Sequence, residues 1–88
     1  MEFKTKDADE AAFYWSQKRI KFISTEIQRR RWKNSIWFVF EVDMDEEEFA
    51  ALQTEYWNGN TLVEPREYAR LRTEIKNIIK ENIFKRPV

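Results

Sequence analysis

The alternation of apolar and polar residues predicts two neighbouring strands in the middle of the chain. Residues 20–27 alternate with a period of two, which places Ile20, Phe22, Ser24 and Glu26 on one face. Residues 36–42 carry apolar side chains on both faces, as is typical of a central strand shielded on both sides by helices or a neighbour. Because the two segments are close in sequence, we expect an antiparallel hairpin with a polar connection over residues 28–35.

Helical periodicity predicts a first helix over residues 8–18. Asp7 precedes it as an N-cap, and Glu10 follows three positions later with the spacing of a capping box. Before this helix, residues 2–6 are a candidate edge strand or arm, with Phe3 as the apolar anchor.

Two more helices are predicted in the second half of the chain. One starts after the cap Asp45 and ends at Asn58-Gly59, where the only glycine suits a left-handed capping residue. The other starts at Pro65 and runs to about residue 83, with apolar residues at helical spacing. Residues 62–63 between them are a candidate short strand, and residues 84–88 are expected to be a frayed tail.

These elements predict a single α+β domain spanning residues 1–88, of order (β)-α-β-β-α-α. An antiparallel hairpin, extended to three strands if a candidate strand pairs with it, is expected to pack against three helices. The length of 88 residues suits one domain and not two.

Composition argues against most enzyme chemistries. The chain has no cysteine and no histidine, which excludes disulfides, thiolate or imidazole metal sites, and nucleophile–histidine pairs. With one glycine it has no phosphate-cradling loop, and a domain this small leaves little volume for a ligand cleft. We therefore expect no catalysis, no cofactor and no small-molecule substrate.

No apolar run approaches the ~20 residues that span a bilayer, and the first residues lack the apolar stretch of a secretory signal. We therefore expect a cytoplasmic protein with no membrane partner.

Charge is balanced in total but segregated along the sequence. The chain has 16 basic and 16 acidic residues. Seven basic residues and one acid lie between Lys18 and Lys33, whereas six acids and no base lie between Glu41 and Glu48. This distribution predicts a dipolar surface.

The basic run suggests a nucleic-acid site. Its cations and interleaved indole suit phosphate contact and base stacking, and the candidate residues are Arg29, Arg30, Arg31, Trp32 and Lys33. The alternative is a solvated connection whose charges keep the strand edges from aggregating.

The surplus of tryptophan and the acidic run suggest a protein interface. Its candidate residues are Trp15, Trp37, Trp57, Asp43 and Glu47, and its partner would be a basic protein or the basic loop of a second copy. The alternative for the tryptophans is burial beneath the helices. No metal site is expected, because the acidic run lacks EF-hand spacing and helix capping already accounts for some of its acids.

The segment Trp57-Asn58-Gly59, followed by Val63-Glu64-Pro65, carries a resemblance to a known group. With the strand and helix pattern of residues 10–80, the chain resembles a family of short uncharacterised bacterial and phage proteins. These share the order hydrophobic strand, acidic helix, W-N-G, V-x-P, amphipathic helix. The chain departs from them in its longer and more basic link between the strands. The resemblance implies the fold order and a bacterial or phage setting, and it assigns no site residue.

Sequence alone therefore predicts a non-catalytic binding protein that associates with another protein or, as a homodimer, with its own copy. The alternative is a nucleic-acid-binding accessory protein that uses residues 29–33.

Overall fold

The computed structural model describes residues 1–31, 34–59 and 63–84. The elements follow in the order β1 (Glu2–Thr5), α1 (Ala8–Trp15), β2 (Ile20–Arg29), β3 (Asn34–Val42), α2 (Glu46–Trp57) and α3 (Pro65–Phe84). The predicted α+β class and the element order are confirmed.

The three strands form one antiparallel sheet of order β1-β3-β2. The central position predicted for residues 36–42 is confirmed, since β3 lies between the other two strands. β1 and β2 run parallel to each other on either side of β3 and are joined through α1, which is a split β-α-β unit. The third strand is the candidate at residues 2–6. Val63 is in no strand, and Leu62 lies outside the described residues.

Two element boundaries differ from the predictions for identifiable reasons. α1 ends at Trp15 and not at residue 18, because the Ser16 hydroxyl donates to the Phe13 carbonyl at 2.6 Å and closes the last turn. The hairpin is longer than predicted, because Gln28 pairs with Ser35 and Arg29 with Asn34. Backbone pairing needs no apolar side chains, so a polar segment can continue the ladder.

A β-bulge between Phe22 and Ser24 corrects the predicted faces of β2. Phe22 pairs with Phe40 and Ser24 with Val39, so β2 contains one residue more than the matching stretch of β3. Beyond the bulge, Thr25 and Ile27 share a face with Phe22, and Ser24 lies on the opposite face. Strict alternation, which grouped Ser24 with Phe22, was therefore wrong in the second half of the strand.

The helices pack on one face of the sheet and form an aromatic core with it. The Tyr14 ring of α1 lies 6.0 Å from Phe40 of β3, and Trp15 stacks on Phe22 at 4.6 Å. The largest fully buried side chains are Tyr14, Phe13, Phe38, Phe40, Leu71, Ile75 and Val42. Burying each such side chain contributes about 1.5–3 kcal/mol before chain entropy is subtracted.

α2 is anchored to this core at two points. The ring of Phe49 lies 4.9 Å from Phe3 of β1, and Tyr56 stacks on Phe13 at 4.8 Å. The predicted cap is confirmed, since the Asp45 carboxylate accepts a hydrogen bond from the backbone N–H of Glu48 at 2.8 Å. Phe49 is the only buried residue of α2, so most of this helix faces water.

Gly59 ends α2 in the left-handed region, with φ of 72°. No atom lies within 4 Å of a Cβ added there, so Gly59→Ala is penalised by backbone conformation alone. We expect a loss of about 1 kcal/mol in the free energy of unfolding, measured by urea denaturation. Gly59→Asn should lose less, because asparagine tolerates this conformation better than alanine. Equal losses for both variants would contradict this account.

Tyrosine burial predicts a loss of stability at alkaline pH. Burial raises the pKa of Tyr14, and its hydroxyl donates to the buried Glu10 carboxylate at 2.6 Å. Burial, aided by nearby Tyr68 and acidic residues, also raises the pKa of Tyr56 to about 12. An unfolded tyrosine titrates near pH 10, so the folded state holds these protons longer. The stabilisation is fully present below pH 10 and is lost as the pH rises towards the folded pKa.

We therefore expect the free energy of unfolding to fall as the pH is raised above 10. Tyr56→Phe removes one titrating group, so its urea-derived stability should fall less steeply over the same range. Identical slopes for wild type and variant would contradict the assignment.

Candidate functional site

The face of the sheet turned away from the helices is the candidate binding surface, here called the open face. Along β3, the residues Phe38 and Phe40 join the helix-packed core, whereas Trp37, Val39 and Glu41 alternate onto the open face. The expectation that both faces of residues 36–42 are shielded by helices or a neighbour is therefore corrected. Helices cover one face; on the other, side chains of the sheet itself cover Val39, while Trp37 is half-buried and Glu41 is exposed.

A lysine that crosses the central strand provides part of this cover. Lys4 of β1 pairs in register with Val39, and its Nζ lies 3.2 Å from Glu26 Oε2 on β2. Because β3 lies between β1 and β2, the lysine side chain has to pass over β3 to reach the carboxylate. Its methylene groups thereby shield Val39, which is only 3 % exposed although no helix covers it.

Trp37 is the aromatic centre of the open face. It is half-buried, and the Nζ atoms of Lys6 and Lys4 lie 5.0 and 5.4 Å from its ring centroid. These distances are within the range of cation–π attraction. The indole N–H donates to Gln28 Oε1 at 3.4 Å, which links the ring to β2. The cavity beside Trp37, bordered by Lys4 and Glu26, measures about 300 Å³.

Three arginines lie at the hairpin end, beside the open face; Arg29 alternates onto the same face of the sheet as Ile27, and Arg30 and Arg31 come after the last strand residue. Arg29 is the last residue of β2, and all three arginines are exposed. Arg29 lies three positions along β2 from Glu26, the register partner of Trp37, which corresponds to about 10 Å. Trp32 and Lys33, the other members of the predicted basic site, lie outside the described residues.

We call Lys4, Lys6, Trp37 and the arginines 29–31 the basic platform. The acidic residue next to Trp37 on the open face is Glu26, and its carboxylate forms an ion pair with Lys4. The platform therefore combines five cations with one aromatic ring near one end of the sheet.

The acidic run lies at the opposite end of the hairpin. β3 runs from the hairpin connection to Val42, so Asp43 follows about nine strand residues, or about 30 Å, from Asn34. Several of these acids are engaged: Glu41 lies 3.3 Å from the Met1 amine, and Arg19 lies 2.6 Å from Glu48. Arg29, Arg30 and Arg31 are thus far from the acidic run, whereas Lys18, Arg19 and Lys21, which belong to the same basic run, lie beside it at the acidic end.

The acidic end also borders a pocket of about 670 Å³. Of its three carboxylates, Glu41 pairs with the Met1 amine and Asp45 caps α2, which leaves Asp43. Within the described ranges, no group of three or more acidic side chains is arranged to hold a metal ion.

The predicted protein-interface residues are not brought together. Trp15 stacks on Phe22 on the helix-packed face, whereas Trp37 lies on the open face. Trp57 ends α2 and is 66 % exposed. Asp43 and Glu47 are exposed near the acidic end. These five residues therefore form no continuous surface.

Lys4 and Lys6 were not predicted as site residues. The sequence did contain a pattern that could have identified them. Phe3 and Thr5 alternate with Lys4 and Lys6, as in a short strand whose two lysines share one face. Their relation to Trp37 depends on β1 pairing with β3, which is a long-range contact that the local pattern does not contain.

Comparison with protein-family models, with curated proteins and with solved structures finds no match to this chain. The resemblance to short bacterial and phage proteins therefore stays a prediction. Among the described residues, no helix has both the length and the apolar character needed to cross a membrane.

Proposed function

We propose that this protein is a non-catalytic binding module whose basic platform binds single-stranded nucleic acid. The observation that carries the proposal is the placement of Trp37, Lys4 and Lys6 on one exposed sheet face, beside the arginines at the hairpin end. Lysine and arginine neutralise phosphates, and an aromatic side chain supplies a stacking surface for a base.

The geometry of the platform favours a single strand over a duplex. In a duplex the bases are stacked on one another, so a ring on a flat sheet cannot reach their faces. In a single strand, a base can replace the lysine ammonium groups over Trp37 while these groups turn towards the flanking phosphates. The Lys4 side chain is half-exposed, so this rearrangement needs no change in the core.

Charge repulsion sets the limits of the proposed site. Between residues 34 and 65 the chain has eight acids and no lysine or arginine. A phosphate chain that followed the hairpin towards Val42 would meet Glu2 and Glu41 on the open face, with Lys21 beside them. We therefore expect the nucleic acid to cross the strands at the hairpin end, which explains how a chain of zero net charge can present a local anion site.

The arginines provide the first test. The triple variant Arg29→Gln, Arg30→Gln and Arg31→Gln should weaken binding of a labelled oligothymidylate at least tenfold at low salt, measured by fluorescence anisotropy. The slope of log affinity against log salt should fall by about 2 if all three contact phosphates.

The matched control removes three exposed cations from α3, namely Arg66, Lys76 and Lys80, by glutamine substitution. It makes the same change in net charge and should bind almost as wild type does. Equal weakening by both triples, or no binding by wild type at low salt, would overturn the proposal. Competition by polyglutamate as effective as that by the oligonucleotide would instead indicate an acidic protein partner.

Trp37 provides a second test that separates stacking from charge. Trp37→Leu should weaken oligothymidylate binding about 5- to 150-fold, the range expected for one base–aromatic stack, and should leave the salt slope unchanged. Trp57→Leu, which changes an exposed tryptophan away from the platform, should have no effect. If the two variants bind alike, Trp37 is not a stacking surface.

A further inference from the structure

The outer edge of β2 pairs with no described strand, and the strand pairing shows which of its backbone groups are directed outwards. Val42 and Met1 exchange both of their backbone hydrogen bonds, at 2.7 and 2.8 Å, so the backbone groups of Val42 are directed towards β1. Along an antiparallel strand this direction alternates, and therefore Val39, Trp37 and Ser35 are directed towards β2. Their register partners in β2 are Ser24, Glu26 and Gln28.

The intervening residues of β2, Thr25, Ile27 and Arg29, consequently direct their N–H and C=O groups outwards. β2 is the last strand of the sheet on this side, and no described strand pairs with its outer edge. An edge of this kind is a template for another strand.

Ile27 makes this edge unusual. It pairs in register with the buried Ile36 and so lies on the apolar face, yet it is 37 % exposed. The regular part of the edge begins after the bulge, so it extends over residues 24–29 with Ile27 in its second half. Charged residues that would discourage pairing lie at Glu26 and Arg29, and not at Ile27.

We propose that β2 pairs antiparallel with β2 of a second copy, with the two-fold axis at Ile27. In this register Ile27 faces its own counterpart, and Thr25 faces Arg29 of the partner subunit. Three pairs of outward-directed residues then exchange six hydrogen bonds, and the two sheets become one six-stranded sheet.

Charge and chain geometry favour this register over those displaced towards the bulge. An axis at Glu26 would set two glutamates directly opposite each other, which is destabilising. An axis at Thr25 would place Ile27 opposite the bulge, where the ladder is interrupted. With the axis at Ile27, Glu26 faces Gln28 of the partner subunit, and no like charges are directly opposite within residues 24–29.

The inference does not depend on nucleic-acid binding, although the two are compatible. A two-fold axis perpendicular to a continuous sheet keeps both open faces on the same side. The two Trp37 side chains and their lysines would then lie along one extended surface.

The absence of cysteine allows a direct test of the register. Directly opposite residues of a hydrogen-bonded antiparallel pair have Cα atoms about 5.5 Å apart, which suits a disulfide. Ile27→Cys should therefore form a covalent dimer under mild oxidation on a non-reducing gel. Ile23→Cys is the matched control, because Ile23 is even more exposed, at 51 %, but lies at the bulge. It should crosslink at least tenfold less.

Sedimentation velocity tests the association without crosslinking. Wild type should be dimeric at high micromolar concentration, and Ile27→Lys should be monomeric with an unchanged circular dichroism spectrum. A monomeric wild type, or equal crosslinking of the two cysteine variants, would overturn the proposal. A monomer that captures an extended peptide at this edge would also overturn it. Because neither readout involves an oligonucleotide, failure here is distinguishable from failure of the proposed function.

Discussion

The structure depends on one constraint: the central strand β3 carries apolar side chains on both faces, but the helices cover only one of them. On the covered face, Phe38 and Phe40 pack into an aromatic core with α1, α2 and α3. On the other face, the long side chain of Lys4 and the ring of Trp37 exclude water from Val39. A small domain thereby shields its central strand without a second helical layer, and it does so with side chains that also carry charge.

This arrangement makes the open face both a shield for the apolar strand and a polar surface that can rearrange. It is shielded enough to keep an apolar strand dry, and it remains polar and rearrangeable, because its cover consists of flexible lysines and not of a packed helix. Glu26 holds Lys4 in place when no partner is present. Surface ion pairs of this kind contribute about 0–1 kcal/mol, so exchanging the carboxylate for another anion has a small energetic cost.

Much of the fold could be predicted because the decisive signals are local. The capping residues Asp7 and Asp45, the terminating Gly59 and the apolar period of the last helix each mark an element within a few residues. The hairpin and the central position of residues 36–42 also followed from nearby residues. What could not be predicted depends on long-range pairing. Strand alternation does not reveal which face of β3 the helices cover, nor that Lys6 approaches Trp37. Composition likewise could not show that Trp15 and Trp37 lie on opposite sides of the sheet.

The bulge in β2 has a consequence that extends beyond its own position. A single extra residue reverses the alternation of the strand. Before the bulge the even-numbered residues Ile20 and Phe22 face the core, and after it the odd-numbered residues Thr25 and Ile27 do. Without that shift, Glu26 would be turned into the aromatic interior and Ile27 towards water. The extra residue therefore joins two segments in which the apolar residues occupy alternate positions of opposite register. Through it, one continuous strand packs its apolar residues against the core and keeps its charged Glu26 on the open face.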